Sequence, residues 1–141
     1  MKKLLTVSFL VMLIFSLSCK KETVTIPDEP LKSIEGNWKI IKALRNGTDL
    51  TNRFDFSKFR ISFTDKSYAV SNAVPFLVSK DGEWSFDDPV YPFKMSFVEQ
   101  GKQPVTSTIQ YPVVKGVRNI IISFSPGCTL NTYQYTLQKA D

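Results

Sequence analysis

From Ile34 onward, apolar residues recur two positions apart. The sets are Trp38 and Ile40; Phe59, Ile61 and Phe63; Tyr68 and Val70; Trp84 and Phe86; Phe93, Met95 and Phe97; Val105, Ile109 and Tyr111; Ile120, Ile122 and Phe124; and Tyr133, Tyr135 and Leu137. Polar or small residues stand between them, as in Lys58, Arg60 and Ser62 or Thr132, Gln134 and Thr136. Period two with one apolar face is the pattern of a half-buried antiparallel strand, and it predicts about eight of them. Turn signals separate the runs: Asn46-Gly47, Thr64-Asp65-Lys66, Asp81-Gly82, Gln100-Gly101, Lys115-Gly116 and Pro126-Gly127. Only Leu50 to Ser57 has room for a turn of helix, with Thr51 as its cap. Short links make sequence neighbours spatial neighbours. The predicted fold class is therefore all-β, an antiparallel up-and-down barrel whose closure removes the sheet edges. A two-sheet sandwich is the alternative.

Before this region the pattern changes. Lys2 and Lys3 precede an almost unbroken apolar run from Leu4 to Leu17, which ends at Ser18-Cys19. As a helix such a run rises only about 21 Å, short of a hydrocarbon core of about 30 Å. A basic start, a short apolar stretch and small exit residues describe an export signal over residues 1–18. The stretch resembles a bacterial lipoprotein signal, although Ser16 stands where Leu is usual. That resemblance implies cleavage before Cys19 and a lipid on its thiol, so that the protein partners a membrane through its N-terminus. Ordinary cleavage is the alternative. Residues 19–33, with Pro27 and Pro30, then read as an extended tether, and residues 34–141 as one domain.

Charge adds little to this picture. The net charge of +5 falls to +3 once Lys2 and Lys3 leave. Apart from Lys20-Lys21 there is no basic run, so nucleic acid has no support as a partner; that pair is suited to anionic headgroups. If Cys19 carries lipid, Cys128 is a lone thiol; if it does not, the two cysteines remain free to pair.

The sequence has no histidine, which removes His-based nucleophile systems, metal sites and proton shuttles. Asp81 and Glu83 stand two apart, near the spacing of glycosidase carboxylates, but Lys80-Asp81-Gly82-Glu83 reads as a hairpin turn with both acids in water. Asp87-Asp88-Pro89 lacks the spacing of a calcium loop and reads as a loop opener. Cys128 has no base beside it. Asn46-Gly47-Thr48 matches a glycosylation sequon and serves better as a turn. No catalytic residue, metal ligand or cofactor site is expected.

Gly36-Asn37-Trp38 opens the first strand. The run from there through NGTDLTNRFDF, KDGEWSFDDP, YPFKMSF, SFSPGC and NTYQYTL resembles lipocalin-like domains of Bacteroidetes-type lipoproteins, a family without an assigned function, over roughly residues 34–139. The resemblance implies a barrel in which Trp38 plugs one end. A basic side chain from the last strand would cover it: Lys139, with Arg118 as the other candidate. Trp38 would then seal the barrel and touch no ligand.

Eight strands enclose space for side chains or for one small ligand. The many inward candidates, among them Trp84, Phe93, Phe97, Phe124 and Tyr135, favour a packed interior with at most a modest pocket near a rim. Two apolar loops are candidates for that rim: Val74, Pro75 and Phe76, and Tyr91, Pro92 and Phe93. The alternative for both is to fold inward as a lid. The expectation is a monomeric, non-catalytic lipoprotein of the outer membrane, periplasmic or surface-exposed. Its barrel would bind a small apolar ligand, or, if filled, dock on an outer-membrane complex through its loops.

Overall fold

The computed structural model describes residues 31–127 and 130–140. Strands β1 (Gly36–Arg45), β3 (Arg60–Phe63), β4 (Ser67–Ser71), β5 (Gly82–Phe86), β6 (Lys94–Glu99), β7 (Val105–Gln110), β9 (Val117–Phe124) and β10 (Tyr133–Lys139) form the body. Two-residue strands β2 (Thr48–Asp49) and β8 (Val113–Val114) pair with β1 and β9. Every body strand pairs antiparallel with its neighbour in sequence, and β10 pairs with both β9 and β1. The result is a closed eight-stranded up-and-down barrel, as the alternation predicted, with no helix among the described residues. The segments expected to be an export signal and, for the most part, a tether lie outside the described residues, as do Cys19 and Cys128.

Inward positions make the core. Trp38, Phe59, Ile61, Met95, Phe97, Ile120, Ile122, Tyr135 and Leu137 are almost completely buried. The outer face carries Lys42, Ser85, Thr106, Thr108 and Gln110, all exposed. That is the reverse of the apolar outer band of a membrane-spanning barrel. A bulge at Ile41 shifts the β1–β10 register between Ile40 and Lys42, so the inward set passes from Trp38 and Ile40 to Ala43. This explains why Ile41 and Lys42, consecutive residues, both face outward.

Two turns follow their sequence signals closely. Asn46 and Gly47 have φ of 48° and 79°, and Lys115 and Gly116 have 52° and 79°, the paired positive values of a tight hairpin turn. The signal at Asp81-Gly82 misleads. Here the β4–β5 connection is the ten-residue segment 72–81, and Gly82 already lies in β5, opposite Tyr68 and Glu99. Glycine is required there by close approach: an added Cβ would lie 2.1 Å from the Val98 carbonyl oxygen. Segment 50–57 makes one turn, with Phe54 N–H donating to Leu50 C=O. Thr51 does not cap it. Its hydroxyl accepts from Ala43 N–H, and Asp49 receives Thr51 N–H instead.

An antiparallel meander sends alternate connections to opposite ends. The β1–β3, β4–β5, β6–β7 and β9–β10 connections share one end, the plug end. The β3–β4, β5–β6 and β7–β9 connections share the other with the chain entering at residues 31–35, the strap end.

Candidate functional site

The segment between β4 and β5 turns into the plug end of the barrel. Phe76 and Val78 are buried there. The Phe76 ring centroid lies 5.5 Å from those of Phe59 and Phe124, and 6.1 Å from that of Tyr135, with which it is stacked. Two polar contacts hold the segment. Tyr135 Oη donates to the Pro75 carbonyl at 2.7 Å. Glu99, on the same inward face of β6 as Met95 and Phe97, accepts Ser79 N–H at 2.6 Å and Lys80 N–H at 3.2 Å. Its second oxygen pairs with Lys102. Chain that leaves the ladder carries amides without strand partners, and this carboxylate supplies their acceptor. The Lys102 ammonium and then the Ser79 amide hold the Glu99 carboxyl down to about 2.

Burial pushes the Tyr135 hydroxyl up to about 12. It does the same to Tyr68, with Glu99 and Asp81 adding to the effect. Tyr68 Oη has no hydrogen-bond partner among the described residues. The aromatic filling extends from Phe56 through Tyr135, Phe76, Phe97 and Phe63 to Trp84. The space inside the barrel is thus occupied by side chains.

At the strap end, Ile34 is buried and its carbonyl accepts the Trp38 indole N–H at 2.7 Å. Lys139 pairs with Trp38 across the β1–β10 ladder and places Nζ 5.9 Å from the Trp38 ring centroid. Gly36, at φ 116°, lies beneath the same lysine: an added Cβ would meet Lys139 Cε at 3.7 Å. Arg118 is elsewhere, reaching toward the Tyr111 carbonyl.

The two apolar loops do not form one rim. Val74, Pro75 and Phe76 belong to the plug end, with Phe76 inside the barrel. Tyr91, Pro92 and Phe93 belong to the strap end, because consecutive connections of a meander cannot share an end. Pro92 is buried, whereas Tyr91 is 48% and Phe93 72% exposed. Phe93 is therefore not an inward residue: β6 begins only at Lys94, and the loop before it is held off the core. Asp87 Oδ1 accepts the N–H groups of Phe93 and Lys94, and Asp88 Oδ1 those of Val90 and Tyr91. The Lys94 and Phe93 amides lower the Asp87 pKa.

Asp81 and Glu83 are both exposed. Asp81 Oδ1 accepts Val70 N–H at 2.8 Å, which ties the end of the plug segment to β4. With Glu99, Gln100 and Gly101 the two acids line an open groove of about 470 Å³. Among the described residues no group of three or more acids or cysteines is placed to hold a metal ion.

Comparison with protein families matches residues 16–138 to the domain of unknown function DUF5004. The chain belongs to this family. No curated protein and no solved structure matches it. The DUF5004 match spans the plug segment, the strap and every body strand except Lys139, the last residue of β10. Within this DUF5004 barrel, sequence reasoning missed Glu99, Val78 and Ile34. A signal for Glu99 was present: an acid two residues beyond Phe97 continues the inward alternation of β6. Val78 and Ile34 sit outside strands, where period two has no meaning.

Proposed function

We propose that this DUF5004 barrel is a non-catalytic, lipid-anchored outer-membrane lipoprotein of lipocalin-like kind that acts as an interaction module rather than as a carrier. The observation that carries this choice is Phe76: it occupies the space in which a calyx would hold its ligand, in contact with Phe59, Phe97, Phe124 and Tyr135. A packed interior leaves the outer surface and the loops as the means of recognition. Support for the anchor comes from the apolar run ending at Ser18-Cys19, and for the lipocalin-like kind from Gly36-Asn37-Trp38 beneath Lys139. The absence of histidine and the outward-facing Asp81 and Glu83 favour a role without chemistry.

Native mass spectrometry of the full chain, purified in detergent from its own membrane, tests both halves. The expected mass begins at a lipid-bearing Cys19 and includes no other bound molecule. An unmodified Cys19 refutes the anchor. An apolar molecule bound in one-to-one ratio refutes the filled barrel.

A further inference from the structure

Six of the ten large apolar residues exposed among the described residues lie at the strap end: Leu31, Tyr91, Phe93, Val113, Val114 and Val117. They come from three segments that the structure holds side by side. Lys32 N–H donates to the Pro89 carbonyl at 2.9 Å, which joins the strap to the loop bearing Tyr91 and Phe93. Phe93 C=O accepts Ile109 N–H, which joins that loop to β7. Val113 and Val114 pair with Arg118 and Val117 in the β8–β9 hairpin, and Arg118 shares with Leu31, Lys32, Ser33 and Tyr111 a cleft of about 180 Å³. Isolated apolar residues on a surface need no explanation, but six gathered at one end of a barrel do.

Basic residues border the group: Lys94 begins β6 beside Phe93, Lys115 forms the hairpin tip, and Arg118 lines the cleft. The acids of the loop, Asp87 and Asp88, are turned into its own backbone amides. Aromatic and aliphatic tips flanked by lysine and arginine suit the boundary of an anionic bilayer, where the rings enter the headgroup region and the cations meet phosphate. The position of the chain's entry argues for the same occupant. The segment from Cys19 to Pro30 is twelve residues long and leads directly into Leu31, itself part of the group.

We infer that the strap end is a bilayer-docking face, with Leu31, Tyr91, Phe93 and the β8–β9 hairpin seated in the headgroup layer of an anionic membrane and the plug end directed away. This rests on the proposal that Cys19 carries lipid. It goes further, because a bare tether of about 40 Å would leave the barrel free to turn.

The test uses the full chain in a Cys128→Ser background, reconstituted in vesicles of phosphatidylethanolamine and phosphatidylglycerol. A nitroxide is attached after Phe93→Cys or Val114→Cys at the strap end, or after Phe54→Cys or Leu130→Cys at the plug end. Collision with oxygen and with a nickel chelate is then read by electron paramagnetic resonance. At 93 and 114 the expected result is high oxygen and low nickel accessibility, with the ratio inverted at 54 and 130. Nickel access at all four sites overturns the inference while an intact lipid on Cys19, checked by mass, leaves the anchor standing. Shielding from oxygen and nickel alike at 93 and 114 means a protein partner or a second copy, and also overturns it. If the mass shows no lipid, the anchor falls. The same labels on that chain with Cys19→Ser added, so that no second thiol takes the nitroxide, mixed with the same vesicles, then decide: high oxygen and low nickel accessibility at 93 and 114 sustains the docking face, and nickel access at all sites overturns it.

Discussion

Phe76→Ala removes the ring that fills the plug end. A buried Phe→Ala exchange costs about 3–5 kcal/mol, because the lost transfer free energy is joined by that of the cavity left behind. Phe76 stacks on Tyr135 and meets Phe59 and Phe124 edge-on or tilted, at centroid distances of 5.5–6.1 Å, so its surroundings are rigid aromatic faces that close poorly over a gap. Its own segment is softer, being a connection rather than a strand, and some settling toward the interior is expected. We therefore place the loss near the lower bound, about 3 kcal/mol. A domain of this size has about 5–15 kcal/mol in hand and remains folded. Equilibrium urea unfolding should show the midpoint lowered with the slope unchanged. The melting temperature should fall by roughly 12 °C, at about 4 °C per kcal/mol. The variant, unlike the natural chain, should also take up toluene, since an apolar cavity of this kind stays dry and admits small apolar molecules. A loss under about 1 kcal/mol, the range of surface substitutions, together with no uptake of toluene, would refute the packing of this segment inside the barrel.

Further outcomes follow from the residues that hold the plug and the sheet. Glu99→Gln keeps an acceptor for the Ser79 and Lys80 amides but loses the charge that faces Lys102; unfolding at neutral pH should show a loss of about 1 kcal/mol, the difference between charged and neutral hydrogen bonds. The folded Glu99 pKa lies below its ordinary 4.5, at about 2, so its stabilisation is present above 4.5 and lost as pH falls toward 2; acid titration of stability should be flatter in that window for Glu99→Gln. Gly82→Ala drives a methyl into the Val98 carbonyl and the Tyr68 hydroxyl, and chemical denaturation should register about 1–3 kcal/mol of overpacking. Burial raises the pKa of Tyr68, Tyr111 and Tyr135, for Tyr68 and Tyr135 from 10 to about 12; the stability tied to the neutral forms is complete below pH 10 and lost as pH rises through 12 and beyond, so absorbance titration should find three phenols that ionise only as the fold opens.

What depends on local alternation was legible along the chain. Residues two apart along β3, β6, β9 and β10 share one side of a pleated chain, so an apolar set such as Ile120, Ile122 and Phe124 marks the inner face before any partner strand is known. Asn46-Gly47 and Lys115-Gly116 marked their turns because positive φ at two consecutive positions suits few residues. Gly36, Trp38 and Lys139 could be singled out by resemblance, and they meet at the strap end because β1 begins where β10 finishes. Tertiary structure decided everything that relates one connection to another. The likeness of Val74-Pro75-Phe76 to Tyr91-Pro92-Phe93 concealed that one segment enters the barrel and the other leaves it, since the end to which a loop belongs depends on the parity of strands between them. Nothing local distinguishes Phe76 from Phe93. The first meets Phe59, Phe124 and Tyr135 from three other elements, while the second is held outward by two aspartates that satisfy its own loop. Burial is a property of what the rest of the chain brings alongside, and that is settled only when the sheet closes.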